Sequence, residues 1–168
     1  MAALDRHGIR RQRAKCRSRG LSAGRLAPRV MTLDTSGIVA LIDVKDENHG
    51  NCLRAMREDG GPYIVPAGIL SEIAWILEAR FAAEVEQAFL DDLRDGAYTL
   101  HWNQDDIQRI QVLIRKYGDL PLGFADAAVA ACAERHNGRV LTTDFRHFSV
   151  LSRGEKGITA LPEPAWDR

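Results

Sequence analysis

Two acidic residues of this sequence follow short apolar runs that are typical of buried β-strands. Asp34 comes after Met31–Leu33, and Asp144 comes after the run 139–143. In open α/β folds the carboxyl ends of the strands form the usual binding site, so we expect both acids at one edge of a sheet. A single acid at such a position is more simply an N-cap of the following helix. Two acids at matching positions favour a shared site.

Two further acids occur on predicted helices, on or beside the apolar face. Glu72 lies next to Ile73 and one turn before Ile76, and Asp126 shares its face with Val129. Taken singly, either acid could reach the rim or pair with an arginine, because a carboxylate is costly to bury uncompensated. Four converging carboxylates would repel one another unless a cation lies among them. Mg²⁺ or Mn²⁺ is the kind of ion that prefers such oxygen ligands.

Short apolar strands and helices alternate from Met31 onward. The predicted strands are MTLDTS, PYIVP, AYTLHW, RVLTT and, at an edge, GITALP. The predicted helices span residues 36–42, about 47–59, 67–80, 82–95, 103–117 (capped by Asn103) and 123–136. Strands separated by helices imply right-handed crossovers and a parallel sheet covered on both faces. We therefore expect residues 31–168 to form an α/β fold, a three-layer α/β/α domain with a central parallel sheet of four to five strands.

Residues 1–30 differ in charge from the rest of the chain. This segment holds nine of the 23 Lys and Arg residues but one of the 23 Asp and Glu residues, which leaves a net charge of about −8 for residues 31–168. It lacks apolar periodicity, so we expect a disordered N-terminal extension. It could be a nucleic-acid-binding arm or a transit-like leader. The simpler interpretation is that it lies upstream of the true start at Met31 and contributes little.

The remaining composition argues against several classes of protein. No apolar run approaches the ~20 residues that cross a bilayer, and residues 1–30 lack the apolar centre of a secretory signal. The three cysteines are widely spaced and form no CxxC pair, which indicates reduced thiols. His49 and His101 have no partners at ligand spacing, so the sequence predicts no zinc site. The expected location is the cytoplasm.

Four blocks of the sequence together resemble one family. They are LDTSG (33–37), SE within a helix (71–72), YGDLPLGFADAAVAACAER (117–135) and LTTDFRHF (141–148), and in this order they span nearly all of residues 31–155. The sequence resembles the PIN domain and, within it, the VapC-type toxins of bacterial toxin–antitoxin pairs. The resemblance implies a metal-dependent ribonuclease that a co-expressed antitoxin holds inactive and that is often a homodimer.

The family's acids correspond to Asp34, Glu72, Asp126 and Asp144 in this sequence, with Asp34 and Asp126 as the firmest metal ligands. Glu72 and Asp144 could orient waters or a second ion. Many PIN domains carry another acid two residues after the fourth, and this sequence has Arg146 there. One or two bound Mg²⁺ ions would bind the scissile phosphate and lower the pKa of an attacking water. The family expectation is a product with a 5′-phosphate and a 3′-hydroxyl.

Several polar residues near these acids are weaker candidates. Ser36 and Thr142 could position phosphate or water, although Ser36 could equally cap the first turn of a helix. Asp119 is more simply a loop residue than a member of the cluster. Four basic residues could contact the RNA backbone, although exposed basic residues usually only interact with solvent; they are Arg115, Lys116, Arg146 and His147.

An antitoxin would need an apolar surface on this protein. The candidate walls of such a groove are helix 67–80 and the next helix, which carry Leu77, Phe81, Val85 and Phe89 at near-helical spacing. Ordinary core packing explains these four residues equally well. We expect Trp75 and Trp102 in the core.

A binding module without catalysis is the competing class. It could be a catalytically inactive PIN-like domain or a receiver-like Mg²⁺-binding domain that acts through protein partners. A receiver would carry an adjacent acidic pair after its first strand, whereas LDTSG has one acid. Cleavage of RNA with Mg²⁺, and its loss in EDTA, would distinguish an enzyme from both alternatives.

Overall fold

Five short parallel strands form the sheet that positions the predicted acids. The computed structural model describes residues 30–120, 122–155 and 157–163. The strands are β1 (Met31–Leu33), β2 (Tyr63–Pro66), β3 (Thr99–His101), β4 (Arg139–Leu141) and β5 (Thr159–Leu161). They lie in the order β3-β2-β1-β4-β5, and every pairing is parallel. The predicted parallel sheet is confirmed, and GITALP supplies the edge strand β5.

Helices connect the strands across both faces of this sheet. The described residues form α1 (Thr35–Ile42), α2 (His49–Asp59), α3 (Leu70–Arg80), α4 (Ala83–Arg94), α5 (Asp106–Lys116), α6 (Phe124–Arg135) and α7 (Phe145–Gly154). The connections run outward from β1 to β3 and then back through β4 to β5. Right-handed crossovers therefore place α1–α4 on one face and α5–α7 on the other. This is the predicted three-layer α/β/α fold.

The central strands are apolar because both of their faces are covered. Every residue of β1 is buried, as are Val140 and Leu141 of β4. Edge strand β3 differs, since Thr99 and Leu100 are exposed. A near-continuous apolar run in the middle of the sheet is what parallel strands require.

Helix α6 is an unusually buried helix made largely of small side chains. All seven residues from Ala127 to Ala133 are buried, and five of them are alanine. Small side chains allow the helix to lie close to both α5 and the sheet. Because α6 is fixed along most of its length, its first turn, which contains Asp126, has a defined position.

Gly37 allows α1 to approach strand β4. A Cβ atom at this position would collide with the backbone carbonyl of Leu141. Glycine is therefore required at this position for its small size. The close approach places the start of α1, directly after Asp34, against the carboxyl end of β4.

The structure corrects three details of the predicted elements. The helix predicted at 67–80 begins with a 3-10 turn over Ala67–Ile69, where Gly68 packs closely on α6. Asn103 does not cap α5; its side chain accepts a bond from the backbone N–H of Asp105 in the preceding turn. Helix α7 was not among the helices predicted with bounds, although Phe145, Phe148 and Leu151 recur at helical spacing.

Of the two interpretations of the four apolar residues along α3 and α4, the structure supports core packing and not the groove. Leu77 and Phe89 are buried in the core, and Phe81 and Val85 pack against it, so these four residues do not line an open groove. Trp75 and Trp102, which were expected in the core, are 68% and 65% exposed. Trp75 lies on α3 and Trp102 directly follows edge strand β3.

Two further sequence expectations concern membrane-spanning helices and residues 1–30. No helix among the described residues is both long enough and apolar enough to cross a membrane. The predicted disorder of residues 1–30 falls on residues that, apart from Val30, lie outside the described part of the chain.

Candidate active site

All four predicted acids lie at the amino ends of helices. Asp34 and Asp144 occupy the N-cap positions of α1 and α7. Glu72 and Asp126 lie in the first turns of α3 and α6. The amino end of a helix exposes N–H groups and carries partial positive charge, which stabilises a nearby carboxylate. The fold therefore offsets part of the repulsion among four acids before any cation is considered.

Asp34 is the most deeply buried of the four acids and is 5% exposed. Its Oδ2 accepts hydrogen bonds from the hydroxyls of Ser36 at 2.6 Å and Thr142 at 2.8 Å. These hydroxyls in turn accept bonds from the backbone N–H groups of Thr143 and Asp144. Each hydroxyl proton is thus directed at Asp34, and both bonds end on Oδ2. The other carboxylate oxygen, Oδ1, retains lone-pair capacity for a ligand.

Burial makes the negative charge of Asp34 costly. It raises the pKa of Asp34 to about 6, although the hydroxyls of Ser36 and Thr142 act in the opposite direction; the carboxylate of Asp126 raises the pKa further. Among the described residues Asp34 forms no ion pair with a basic side chain. A buried carboxylate held by hydroxyls, without a counter-ion, is the electrostatic environment in which a bound cation is most stabilising.

Asp126 and Asp144 lie together with a residue that the sequence interpretation placed elsewhere. His147 Nδ1 is 2.9 Å from Oδ2 of Asp144 and 3.6 Å from Oδ2 of Asp126. Since an ionised carboxylate can only accept hydrogen bonds, Nδ1 of His147 carries the hydrogen in its contact with Asp144. Ligand atoms of the three residues all lie within 4.8 Å of one another. Instead of facing RNA as suggested, His147 lies within the acidic cluster.

The pKa of Asp126 reflects its position among the other acids. Burial raises this pKa most, His147 and the backbone N–H of Gly123 lower it, and the carboxylates of Asp144 and Glu72 raise it further. Asp126 also contributes to the raised pKa of Asp34. Asp126 therefore interacts electrostatically with all three other acids and is the central member of the group.

Glu72 is the most exposed of the four acids, and a neighbour of Asp34 fixes its position. The hydroxyl of Thr35 donates a 2.8 Å hydrogen bond to Oε2 of Glu72. Thr35 directly follows Asp34 and is itself buried. The bond therefore links α1 to α3 and holds Glu72 on the side of the site formed by β1.

These residues fit a hard divalent cation. The donor set consists of carboxylate oxygens, which Mg²⁺ and Mn²⁺ prefer. The observation that points to an uncompensated site is the buried charge of Asp34, which has no basic partner among the described residues. Asp34, Glu72, Asp126 and Asp144 are the residues that could hold such an ion.

The other sequence candidates occupy varied positions. Ser36 and Thr142 lie directly against Asp34, as described above. Arg146 is exposed on α7, Lys116 pairs with Glu155, and Asp119 is exposed in the loop before α6. Thr35 and His147 were missed as site residues. The position of Thr35 directly after a strand-end acid could have identified it as a site residue. For His147, the corresponding feature is its spacing of three residues from Asp144.

Comparison with known proteins agrees with this architecture. The model of the PIN domain family matches residues 31–153. Ribonuclease VapC26 of Mycobacterium tuberculosis is 30% identical over 123 residues, which are 72% of this chain and 91% of that protein.

Two solved structures share the fold at lower sequence identity. VapC20 of Mycobacterium tuberculosis, described as a Sarcin-Ricin loop cleaving toxin, superposes with a TM-score of 0.58 at 19% identity, over 70% of this chain and 93% of that one. VapBC2 of Rickettsia felis, bound to a DNA fragment from its promoter, gives a TM-score of 0.59 at 16% identity, over 78% and 96% of the two chains. The chain thus belongs to the PIN domain family and is a relative of the VapC-type ribonucleases.

Proposed function

We propose that this protein is a Mg²⁺-dependent endoribonuclease and the toxin of a type II toxin–antitoxin pair. The observation that carries the proposal is the grouping of Asp34, Glu72, Asp126 and Asp144 at helix amino ends beside the central strands. The relationship to a protein named as a ribonuclease supports RNA as the substrate class. Mn²⁺ is a possible substitute for Mg²⁺ because both ions prefer oxygen ligands.

Asp34 and Asp126 would hold the principal ion, and Glu72 and Asp144 would complete its surroundings or hold a second ion. A bound Mg²⁺ supplies positive charge for the scissile phosphate and lowers the pKa of a water for in-line attack. The chain's own contribution is orientation. Ser36 and Thr142 fix the carboxylate of Asp34, and Thr35 fixes that of Glu72. In the same way, His147 holds Asp144 toward Asp126.

The deciding experiment is RNA cleavage by the full-length chain, purified free of any antitoxin. We expect structured RNAs to be cut with Mg²⁺ or Mn²⁺, to remain intact in EDTA, and to be cut again when excess Mg²⁺ is restored. Asp126→Asn should abolish cleavage, because it removes the acid that interacts with all three others. Fragment ends identified by ligation or mass spectrometry should carry a 5′-phosphate and a 3′-hydroxyl.

Matched acidic controls separate the site from general charge effects. Asp119→Asn changes an exposed acid seven residues before Asp126, and Glu78→Gln changes an exposed acid on the same helix as Glu72. Both controls should cleave at the wild-type rate, whereas Asp126→Asn and Glu72→Gln should not. If Mg²⁺ raised the unfolding temperature of the wild type but no RNA were cut, the protein would instead be a metal-binding module without catalysis.

We further propose two protein partners, a cognate antitoxin and a second copy of this chain. Trp75 is 68% exposed on α3, one helical turn after Glu72, so an antitoxin segment that covers it would also block the acidic site. Leu100 and Trp102 are exposed at edge strand β3 and are our candidates for the surface between copies.

Each tryptophan provides the control for the other. Trp75→Ala should weaken antitoxin binding about tenfold or more without changing the dimer, and Trp102→Ala should shift the dimer toward monomer without changing antitoxin affinity. Isothermal titration and light scattering measure these quantities. Equal effects of both substitutions on both measurements would contradict the assignment of surfaces.

A further inference from the structure

Three side chains that commonly bind transition metals lie together outside the acidic site. His101 ends β3, and Cys132 and His136 lie in and just after the last turns of α6. One ligand atom from each lies within 4.8 Å of the other two. Sequence spacing predicted no zinc site for His101, because its two neighbours come 31 and 35 residues later in the chain. The fold, not local sequence, brings the three residues together.

The spacing of the two imidazoles suits a shared metal ion. His136 Nε2 is 3.3 Å from His101 Nδ1 in a hydrogen bond, and the ring planes are nearly perpendicular, at 88°. Metal binding would replace this hydrogen bond, and His136 would adopt the tautomer with its hydrogen on Nδ1. Two nitrogens that each lie about 2.0–2.1 Å from a tetrahedral zinc ion are themselves roughly 3.4 Å apart. The two histidines therefore need little movement to become ligands of one ion.

Asp106 determines which nitrogen of His101 faces His136. Its Oδ2 is 3.1 Å from His101 Nε2, so Nε2 carries the hydrogen and Nδ1 presents a lone pair. The other oxygen of Asp106 accepts bonds from the guanidinium of Arg135, which holds the carboxylate in place. A carboxylate that fixes the tautomer of a histidine is the usual support for a metal-bound imidazole.

Cys132 completes the set from the interior of the protein. It is 1% exposed, and its thiol has one weak contact, 3.9 Å from the hydroxyl of Thr32. A cavity of about 20 Å³ borders Cys132, His101 and Asp106, which is room for one water. His136 is not among the residues that line this cavity, so the water in the proposed site follows from the usual four-coordination of zinc.

The protonation states of the free residues are compatible with binding. Burial, followed by His101 and Arg135, lowers the pKa of His136, which favours the neutral imidazole that can act as a ligand. Burial raises the pKa of the Cys132 thiol to about 12. Without a metal the thiol is therefore protonated, and binding must release its proton to solvent.

We propose that His101 Nδ1, His136 Nε2 and Cys132 Sγ bind one Zn²⁺ ion, with a water as the fourth ligand and Asp106 supporting His101. This site differs in chemistry from the acidic one. Nitrogen and sulfur ligands select Zn²⁺ and similar transition metals, whereas carboxylates alone select Mg²⁺ or Mn²⁺. The ion would join the end of edge strand β3 to the last turn of α6.

Cobalt titration of the metal-stripped full-length chain tests this proposal directly. Co²⁺ replaces Zn²⁺ in such sites and gives a thiolate-to-cobalt charge-transfer band, together with the intense visible bands of a tetrahedral ion. We expect both to saturate at one equivalent, to disappear on addition of one equivalent of Zn²⁺, and to persist in excess Mg²⁺. Absence of a thiolate band at saturating Co²⁺ in the wild type would overturn the proposal without recourse to any variant.

Variants then assign the ligands, each after circular dichroism has shown that it is folded. Cys132→Ser should remove the charge-transfer band, while the matched controls Cys52→Ser and Cys16→Ser retain it. His136→Gln, at a partly exposed position, should weaken Co²⁺ binding at least about tenfold, and Asp106→Asn roughly 10- to 100-fold. Asp126→Asn should leave the band unchanged. A thiolate band that survives Cys132→Ser, or that is lost in Asp126→Asn, would contradict the assignment.

Discussion

Each acid of the proposed active site combines a structural role with a chemical one. Asp144 shows this most clearly: Oδ1 accepts the backbone N–H of His147 at 3.1 Å and so caps α7, while Oδ2 faces the imidazole of His147 and the neighbouring Asp126. The capping and cluster interpretations of this strand-end acid are therefore compatible. Substitutions that separate the two roles are more informative than substitutions that remove both.

Asp144→Asn should keep the cap and lose the charge. Asparagine caps helices about as well as aspartate, so the free energy of unfolding should change by less than ~1 kcal/mol. Mg²⁺ affinity and RNA cleavage should both fall severely, with only partial rescue at raised Mg²⁺, since one carboxylate is gone. Chemical denaturation and cleavage rates measure the two effects. Asp144→Ala is the control, because it should lose the cap as well, at a further cost of ~1 kcal/mol.

Wild-type cleavage by Asp144→Asn at limiting Mg²⁺ would leave Asp144 with a capping role alone.

The buried carboxyl of Asp34 should make the metal-free protein less stable as the pH rises. Its pKa is about 6 in the folded protein against 3.8 for the ordinary group, so the folded state binds the extra proton between these values. The contribution of Asp34 to the free energy of unfolding is therefore greatest below pH ~4. It falls by roughly 3 kcal/mol as the pH rises through about 6. Urea denaturation in EDTA across this range, compared with Asp34→Asn, measures the difference.

Mg²⁺ should restore much of that stability at pH 7 in the wild type and little of it in Asp34→Asn. An identical pH profile for the two proteins in EDTA would show that Asp34 is not an uncompensated charge.

At the scale of elements, the position of the site depends on how closely α1 lies against β4. Ser36 of α1 and Thr142 after β4 both donate to Asp34, so the distance between the two elements sets the geometry of three polar groups. Gly37 is the residue that allows this distance, since a Cβ atom would collide with the carbonyl of Leu141.

Gly37→Ala should separate α1 from β4 and reduce both stability and cleavage. Overpacking of this kind typically costs about 1–3 kcal/mol. Gly50→Ala is the matched control, because Gly50 is also helical but has nothing within 4 Å of an added Cβ. It should stabilise the protein by roughly 0.5–1 kcal/mol and leave activity unchanged. Thermal denaturation and cleavage rates test both variants, and a neutral Gly37→Ala would show that the contact relaxes freely.

Periodic apolar patterns were sufficient to predict the five strands and six of the seven helices. The sequence indicated that Asp144 could cap a following helix, but it gave that helix no bounds, although Phe145 and Phe148 lie at helical spacing beyond it. Trp75 was expected in the core but is exposed. Its exposure depends on which face of α3 meets the sheet, and the weak amphipathicity of that helix does not determine this.

Long-range contacts account for what the sequence could not reveal about the sites. The grouping of four acids followed from strand ends and a family resemblance, but the hydroxyl bonds of Thr35 and Thr142 join residues 37 and 108 positions apart. The same holds for His101 and Cys132, which have no common motif. The order of strands in the sheet determines which distant residues come into contact. A single sequence contains no local signal for that order.

At the scale of the whole molecule, charge is divided between two parts of the chain. Residues 31–168 carry a net charge of about −8, whereas residues 1–30 contain nine basic residues and one acid. RNA is itself anionic, so the acidic part would repel its proposed substrate except where bound cations reverse the local charge. The family match begins at residue 31, directly after the basic segment.

Deletion of residues 1–30 should leave the unfolding temperature and the cleavage rate nearly unchanged. Because the sequence of this segment lacks apolar periodicity, we expect it to contribute no packed surface. Differential scanning fluorimetry and cleavage at several salt concentrations test this, with a full-length variant whose extension arginines are changed to glutamine as the control. A large loss of RNA affinity together with a weaker salt dependence, in both proteins, would identify the extension as a phosphate-binding arm.

The central position of β1 has a consequence for how the protein matures. Its neighbours β2 and β4 lie on either side, and the bond between Asp34 and Thr142 spans 108 residues of chain. Contacts of such long sequence separation form late and slow the folding of a domain. During synthesis at about 5–20 residues per second, Asp34 leaves the ribosome several seconds before Asp144 and His147. We therefore expect each nascent chain to remain inert until Asp144 and His147 have left the ribosome.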